Sequence, residues 1–310
     1  MSTATALSGV IPPVCTPLTP DFEVDTASLV RLIDHLLAGG VDGLFVLGST
    51  SEVAFLPDTH RRVVLDTVVG HVAGQVPVLA GVIDMTTLRV LDHAATAVAA
   101  GVDGLVATAP FYTRTHPAEI ELHFRTIAAR TGLPLYAYDL PVSVHSKLPG
   151  DLLLGLAADG VLAGLKDSSG DEGGLRNVLL GRRDRPGAAD FAVLTGSELT
   201  VDSALWMGAD GVVPGLGNVD PHGYTRLYAA ARAGDWPAAR REQERLVRLF
   251  DLVAVGRARM GHGSSALGAF KAALHLLGVI AHPTTAVPQI PLDESEIAAV
   301  GTFLAAAELR

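Results

Sequence analysis

The chain has 310 residues, 49% of them hydrophobic and 18% charged, with a formal net charge of −10. This length and composition predict one large domain, or one domain with an extension, built around a substantial apolar core. The acidic balance and the lack of a basic stripe argue against nucleic acid and anionic membranes as partners, and no apolar run reaches the roughly 20 residues of a membrane span.

Two features bear on the cellular compartment. Residues 1–14 lack a basic stretch followed by an apolar core, so we expect no signal peptide. The single cysteine, Cys15, excludes an internal disulfide framework and fits a reducing compartment. We therefore expect a cytoplasmic protein in which Cys15 is a buried, unreactive thiol.

Short apolar segments alternate along the chain with longer amphipathic ones. The apolar segments predict eight strands, at 9–18, 43–49, 77–83, 104–110, 134–140, 161–168, 191–197 and 211–217. Helix patterns lie between them. In residues 25–40, for example, Leu29, Ile33, Leu36 and Leu37 recur at helical spacing.

One unit recurs near residues 39, 100 and 207, and it consists of a helix-ending glycine, an Asp-Gly turn and an apolar strand. Glycine after a helix adopts the left-handed conformation without a Cβ penalty. Such units predict βαβ crossovers and a parallel sheet, and eight of them fit a closed (β/α)8 TIM barrel over residues 1–230. An open doubly wound sheet is the alternative, although its glycine-rich fingerprint is missing.

The strand pattern stops after about residue 230. Three further helix patterns follow, at 236–255, 263–278 and 293–309. Because no low-complexity linker separates them from the barrel, we interpret 231–310 as a C-terminal three-helix extension that packs on the barrel or on a neighbouring subunit.

Barrel active sites gather at the C-terminal ends of the strands. The predicted ends offer hydroxyl groups, two phenols and one amine, on Ser49, Thr50, Tyr112, Tyr138 and Lys166. Since neighbouring strands lie about 4.8 Å apart, Tyr138 should reach a group bound at Lys166. A tyrosine can shuttle a proton if Ser49 and Tyr112 relay it; a core-edge aromatic is the alternative for Tyr138.

Lys166 is one of only three lysines, with Lys147 and Lys271, and it ends an apolar run. An unpaired ammonium is costly to bury. Desolvation disfavours the charged form of an amine, and a neutral amine attacks a ketone carbonyl to form a Schiff base. The alternative is a structural lysine paired with Asp167 or with a helix terminus.

Other chemistries have weaker support. No histidine pair has metal-ligand spacing, and six histidines in helix patterns are interpreted as surface residues: His35, His60, His71, His93, His116 and His123. The G-x-S-x-G motif of serine hydrolases is absent. A phosphate site at Gly215-Leu216-Gly217 and Gly196 lacks a basic residue.

The sequence resembles the dihydrodipicolinate synthase / N-acetylneuraminate lyase family of Schiff-base aldolases and lyases over nearly its whole length. The resemblance is carried by the segments IPPVCTPLTPDFEVD, GVDGLFVLGSTSE, ATAPFYTR, LPLYAYDLP, AGLKDSSGD, LTGSE and GADGVVPGLGN. It implies that Lys166 forms the Schiff base, that Tyr138 relays protons, and that Ser49 and Thr50 bind the keto-acid carboxylate and complete the relay.

The resemblance also implies an assembly. Tyr112 matches an aromatic residue that members often lend across a subunit interface, and members are usually homotetramers built as dimers of dimers. Gly196 and Val213 match backbone positions that line the pocket. The resemblance implies no metal and no organic cofactor.

Departures from the family pattern bear on the substrate. Ser143 stands where dihydrodipicolinate-forming synthases carry an arginine, Asp139 replaces the usual asparagine, and Ser51 replaces the usual glycine. Glu198 matches a carboxylate that contacts substrate hydroxyls in lyases, and His145 with Ser143 would serve a polyhydroxylated acid.

We therefore expect an enzyme that binds pyruvate or a 2-keto-3-deoxy sugar acid as an imine on Lys166 and catalyses reversible aldol cleavage. Three alternatives stay open. They are a dehydratase that uses the same imine, a 4-hydroxy-tetrahydrodipicolinate synthase, and a non-catalytic keto-acid binding protein.

Overall fold

The computed structural model describes residues 7–310. Residues 1–6 lie outside the described residues. They belong to the segment in which we expect no signal peptide and to the expected barrel range. The described strands are β1 Gly9–Val10, β2 Leu44–Val46, β3 Val78–Gly81, β4 Gly104–Thr108, β5 Leu135–Asp139, β6 Gly164–Asp167, β7 Ala192–Thr195 and β8 Gly211–Val212.

Twelve α-helices accompany these strands within residues 7–310. They are α1 Thr26–Ala38, α2 Asp58–Val72, α3 Thr87–Ala100, α4 Pro117–Thr131, α5 Pro141–Val144, α6 Gly150–Ala158, α7 Glu172–Asp184, α8 Val201–Met207, α9 Pro221–Arg232, α10 Trp236–Phe250, α11 His262–Leu276 and α12 Glu294–Ala306. In α1 the predicted stripe residues Leu29, Ile33 and Leu36 are fully buried. None of these helices is long and apolar enough to cross a membrane.

The strands form one parallel sheet in the order β1-β8-β7-β6-β5-β4-β3-β2. The segment after β1 then pairs with β2, because the Phe45 N–H donates to the Pro12 carbonyl at 3.0 Å and the Val14 N–H donates to the Phe45 carbonyl at 2.8 Å. The sheet therefore closes into the predicted (β/α)8 barrel, and the open doubly wound sheet is excluded.

Several strands are shorter than predicted. The first is confined to Gly9–Val10, because Pro12 and Pro13 have no N–H to donate to a ladder. The last gives way to a 3₁₀ helix at Gly215–Asn218. β2 ends at Val46 because Leu47 adopts a φ of 56°.

The recurring Asp-Gly turn ties neighbouring strands together at the N-terminal face of the barrel. Each aspartate carboxylate accepts a hydrogen bond from a strand residue's N–H, and the aspartate N–H donates to the same residue's carbonyl. The pairs are Asp42 with Val10, Asp103 with Val78, and Asp210 with Val193, at 2.7–2.8 Å for the first bond and 2.8–2.9 Å for the second. The preceding glycines Gly101 and Gly208 are left-handed, as predicted, with φ of 88° and 104°.

We expect Asp103→Ala to lower the free energy of unfolding by about 1–3 kcal/mol, since it leaves the buried N–H of Val78 without its partner. Chemical denaturation measures this loss. Asp66→Ala is the control, because Asp66 is exposed on α2, and its effect should stay within about 0.5 kcal/mol. Equal losses in the two variants would contradict the role given to Asp103.

Two expectations for single residues have different outcomes. Cys15 is buried, as predicted, and burial raises the pKa of its thiol to about 12. The surface position expected for His123 is wrong. Its ring is 1% exposed and lies 2.9 Å from the Thr87 hydroxyl and 3.2 Å from the Thr108 carbonyl oxygen. Burial lowers the pKa of His123 to about 4.

Three α-helices, α10 to α12, follow α9, where the sequence predicted three. Helix α10 packs on α9, and α12 packs on α11. Helix α11 also contacts the 3₁₀ helix after β8, which brings it to the C-terminal face of the barrel. The division of the chain near residue 230 stays a prediction.

Candidate active site

Three polar side chains lie side by side on neighbouring strands near the C-terminal face. Tyr138 of β5 is the register partner of Lys166 on β6 and of Thr108 on β4. Register partners on neighbouring parallel strands point to the same side of the sheet. Tyr138 belongs to the apolar cluster inside the barrel, so all three side chains face inward.

Lys166 is 6% exposed and lies among aromatic rings. Its Nζ atom is 4.2 Å from the centroid of the Tyr138 ring and 4.8 Å from that of the Phe45 ring. Lys147 pairs with Asp139 and Lys271 pairs with Glu52, whereas no carboxylate within residues 7–310 forms an ion pair with Lys166. The expected alternative, a pair with Asp167, is therefore not found. A desolvated amine of this kind can act as a nucleophile.

Tyr138 is fixed by its aromatic neighbour. It is 3% exposed, and its ring meets Phe45 edge-to-face with centroids 6.3 Å apart. Gly48 makes room for Phe45, because a Cβ there would lie 2.6 Å from the phenyl ring. The phenol is thus held beside the amine by packing inside the barrel.

The loop after β2 presents Ser49 and Thr50 at the surface and anchors itself through Ser51. The Ser51 hydroxyl donates to the Val14 carbonyl at 2.6 Å and accepts from the Gly48 N–H at 3.2 Å. Ser51 is fully buried, whereas Ser49 is exposed. The serine that replaces the usual glycine therefore holds the loop and does not face the solvent.

A cavity of about 420 Å³ opens between this loop, the ends of β4 and β5, and helix α11. Ser49, Thr50 and Ser143 line it, together with Thr108 and side chains of α11 such as Phe270. Lys166 and Tyr138 are not among the lining residues. The cavity adjoins them through Thr108, which both lines it and pairs with Tyr138.

Thr108 is a polar residue that the sequence reasoning missed. It is 3% exposed, and its hydroxyl has no hydrogen-bond partner within residues 7–310. The signal was available, because Thr108 lies two residues after Val106 on β4 and so shares its inward face. The described residues bring no group of three or more His, Cys, Asp or Glu together as metal ligands.

The β7 and β8 side of the site holds Gly196, Glu198 and Val213. A Cβ at Gly196 would collide with the Ser168 hydroxyl, so only glycine lets the β6 and β7 loops approach. Val213 is buried in the same interior cluster as Tyr138.

Glu198 is turned toward the loop after β8. It accepts a hydrogen bond from the Leu216 N–H at 2.6 Å, and burial raises the pKa of Glu198 to about 7. A phosphate at Gly215-Leu216-Gly217 would need that N–H, which Glu198 already occupies.

Two predicted site residues, Tyr112 and His145, are exposed in the single chain and do not line the cavity. Tyr112 is 89% exposed with a φ of 79°, and His145 ends α5 with a φ of 57°. Positive φ is uncommon for residues other than glycine and marks positions where a function is worth seeking.

Asp139, which replaces the family's usual asparagine, is fully buried and tethers the segment that follows β5. Its carboxylate accepts from the Leu148 N–H at 3.1 Å and pairs with Lys147. Burial raises the pKa of Asp139. This tether fixes residues 140–148, which include Ser143 and His145.

Comparisons with known proteins agree with this architecture. The family model described as the dihydrodipicolinate synthetase family matches residues 6–307. A 4-hydroxy-tetrahydrodipicolinate synthase from Kineococcus radiotolerans is 33% identical over 315 residues, covering 100% of this chain and 98% of its own. An uncharacterized DapA-like lyase from Halobacterium salinarum is 33% identical over 299 residues, covering 96% and 93%.

Solved structures agree as well. The crystal structure of YagE, a prophage protein of the dihydrodipicolinic acid synthase family from E. coli K12, contains pyruvate. It matches this chain with a TM-score of 0.91 at 28% identity, and the match covers 98% of this chain and 99% of YagE.

Proposed function

We propose a Schiff-base mechanism for this chain, which belongs to the dihydrodipicolinate synthetase family of lyases. Its substrate would be pyruvate or a 2-keto-3-deoxy sugar acid, bound as an imine on Lys166, and its reaction reversible aldol cleavage without a metal or organic cofactor. The observation that carries the proposal is the register pairing of Tyr138 with Lys166, which puts a phenol beside a buried amine.

The reaction follows from these two groups. The Lys166 amine attacks the ketone carbon, and loss of water gives a protonated imine. The imine accepts the electron pair released when the bond between the third and fourth carbons breaks, while Tyr138 takes the proton of the hydroxyl on the fourth carbon. An aldehyde leaves, the enamine on Lys166 is protonated, and water then releases pyruvate.

The polar residues that line the cavity of about 420 Å³ include Ser49, Thr50 and Ser143. In this proposal Ser49 and Thr50 bind the carboxylate through hydroxyl and N–H groups, and Ser143 and His145 face the hydroxylated part of the substrate. Gly196 and Val213 would line the pocket through their backbone, and Glu198 would border it. The pyruvate bound in the YagE structure supports this choice of ligand.

We also propose a homotetramer, built as a dimer of dimers, in which Tyr112 enters the site of a partner subunit. Two observations support this proposal. The ring of Tyr112 is 89% exposed in the single chain, and the residue holds a positive φ. Analytical ultracentrifugation of wild type and Tyr112→Ala would test it.

The central test is chemical trapping. We expect incubation with pyruvate and borohydride to add a reduced pyruvate adduct to the tryptic peptide that contains Lys166, because the hydride reduces the imine in place. Mass spectrometry of the peptides checks this. An unmodified protein that still binds pyruvate would contradict the proposal and identify a non-catalytic binding protein.

The name of the Kineococcus relative favours a second candidate, 4-hydroxy-tetrahydrodipicolinate synthase. Ser143 weighs against it, because such synthases carry an arginine at the matching position. A panel of 2-keto-3-deoxy acids distinguishes the proposed aldolase from a dehydratase. Aldol cleavage releases pyruvate, whereas a dehydratase removes water from the same imine and releases none.

A further inference from the structure

A buried ion pair joins the loop of the proposed carboxylate site to helix α11. Glu52 follows Ser49 and Thr50 by a few residues, and its carboxylate pairs with the Lys271 ammonium. Both side chains have 0% exposure. Glu52 also borders the cavity of about 420 Å³, whereas Lys271 lies behind it and does not line it.

The pair belongs to a larger set of bonds. The other Glu52 oxygen accepts from the Ala286 N–H and from the Gln289 side-chain amide, each at 2.7 Å. The Lys271 ammonium also donates to the Thr284 carbonyl at 2.7 Å. One carboxylate therefore connects the loop after β2 with α11 and with the segment that follows α11.

This connection reaches the proposed binding residues through the backbone. The Glu52 N–H donates to the Ser49 carbonyl at 3.0 Å, so a shift of Glu52 shifts Ser49. Glu52 has a φ of 61°, a conformation that a residue with a side chain keeps only where its surroundings hold it.

A buried ion pair is weak support for stability, because apolar residues of similar volume are often as stable or more so. The pair instead fixes the position of the loop after β2 relative to helix α11. A shift of about 1 Å in a binding group can cost about 100-fold in rate, so the position of Ser49 and Thr50 matters for binding.

We propose that Glu52 and Lys271 are positioning residues that hold Ser49 and Thr50 where they receive the keto-acid carboxylate. This inference rests on the proposed function, and it assigns to the C-terminal helices a part in substrate binding. The alternative is a structural clamp between barrel and helices with no effect on the carboxylate.

Borohydride labelling with two different ketones distinguishes the positioning role from a purely structural clamp. Pyruvate uses both Lys166 and the loop, whereas acetone has no carboxylate and uses Lys166 alone. In Lys271→Met we expect the pyruvate concentration for half-maximal borohydride labelling of Lys166 to rise about tenfold or more. The rate of acetone labelling should stay within about twofold of wild type, because the amine is untouched.

Arg259→Met is the matched control, since it breaks an ion pair with Glu296 in the same helical region. Arg259→Met should leave the labelling of Lys166 by pyruvate and by acetone unchanged. If Lys271→Met fails to fold, the double variant Glu52→Gln/Lys271→Met replaces it, because this variant leaves no lone buried charge. We expect the same weaker pyruvate labelling and the same unchanged acetone labelling from it. Unchanged pyruvate labelling, or an equal loss with both ketones, would overturn the positioning role.

Labelling of the wild-type protein distinguishes failure of the proposed function from failure of the positioning role. If wild type shows no pyruvate adduct on Lys166, the proposed function fails, and the positioning role fails with it. If wild type labels with pyruvate and Lys271→Met labels identically, only the positioning role fails.

Discussion

Replacement of Lys166 by methionine is expected to remove turnover, by on the order of 10⁴- to 10⁶-fold, as when other enzymes lose their nucleophile. The reason is that the other two lysines, Lys147 and Lys271, are paired with carboxylates, so neither supplies a free amine in its place. The fold should persist. Methionine has a similar length and places an apolar side chain among the same aromatic rings, so the free energy of unfolding should stay within about 2 kcal/mol.

Pyruvate release from the active 2-keto-3-deoxy acid and borohydride labelling measure the loss, and denaturation measures the stability. Lys166→Arg is the matched control, because arginine places a positive charge at this position but does not form this imine under the same conditions. Both variants should be inactive. A Lys166→Arg enzyme with substantial turnover would show that the charge, and not the covalent bond, matters.

The barrel was predictable because its signal repeats along the chain. In each Asp-Gly turn the aspartate forms hydrogen bonds with both the N–H and the carbonyl of one strand residue. The recurring sequence motif therefore corresponds to a recurring hydrogen-bond pattern. Strand lengths were less predictable. Apolar composition continues past the last ladder bond, and proline or a left-handed residue such as Leu47 ends the strand inside the apolar run.

The adjacency of Tyr138 and Lys166 also followed from the sequence, because consecutive parallel strands of a barrel are neighbours and both residues lie near a strand end. The cavity beside them did not follow. About a quarter of its lining residues come from helix α11, whose docking on the barrel mouth depends on contacts between distant parts of the chain.

The Glu52 and Lys271 pair was missed for the same reason. Glu52 stands in the loop after β2 and Lys271 in an apolar helix pattern more than 200 residues later, so no local pattern links them. A lysine inside the run ALGAFKAALHLL was nevertheless a signal, since an ammonium on a buried helix face requires a partner. The sequence predicts that such a partner exists and does not say which carboxylate it is.

Replacement of Tyr138 by phenylalanine is expected to lower the rate of aldol cleavage by about 10²- to 10⁴-fold, the contribution typical of a positioned proton-transfer group. Phenylalanine keeps the ring that meets Phe45 and covers the Lys166 amine, so only the hydroxyl is lost. The free energy of unfolding should change by less than about 1 kcal/mol. Labelling of Lys166 at saturating pyruvate should still reach one adduct per chain, because the amine remains.

Tyr136→Phe is the matched control for this loss. Tyr136 lies two residues earlier on β5, faces the same interior, and is likewise buried. It lines a separate cavity of about 540 Å³ at the N-terminal end of the barrel, away from Lys166. Turnover in Tyr136→Phe should stay within about threefold of wild type, since this phenol lies outside the reach of the imine. Equal losses in the two variants would show that any interior hydroxyl supports the rate, and full activity in Tyr138→Phe would remove the phenol from the mechanism.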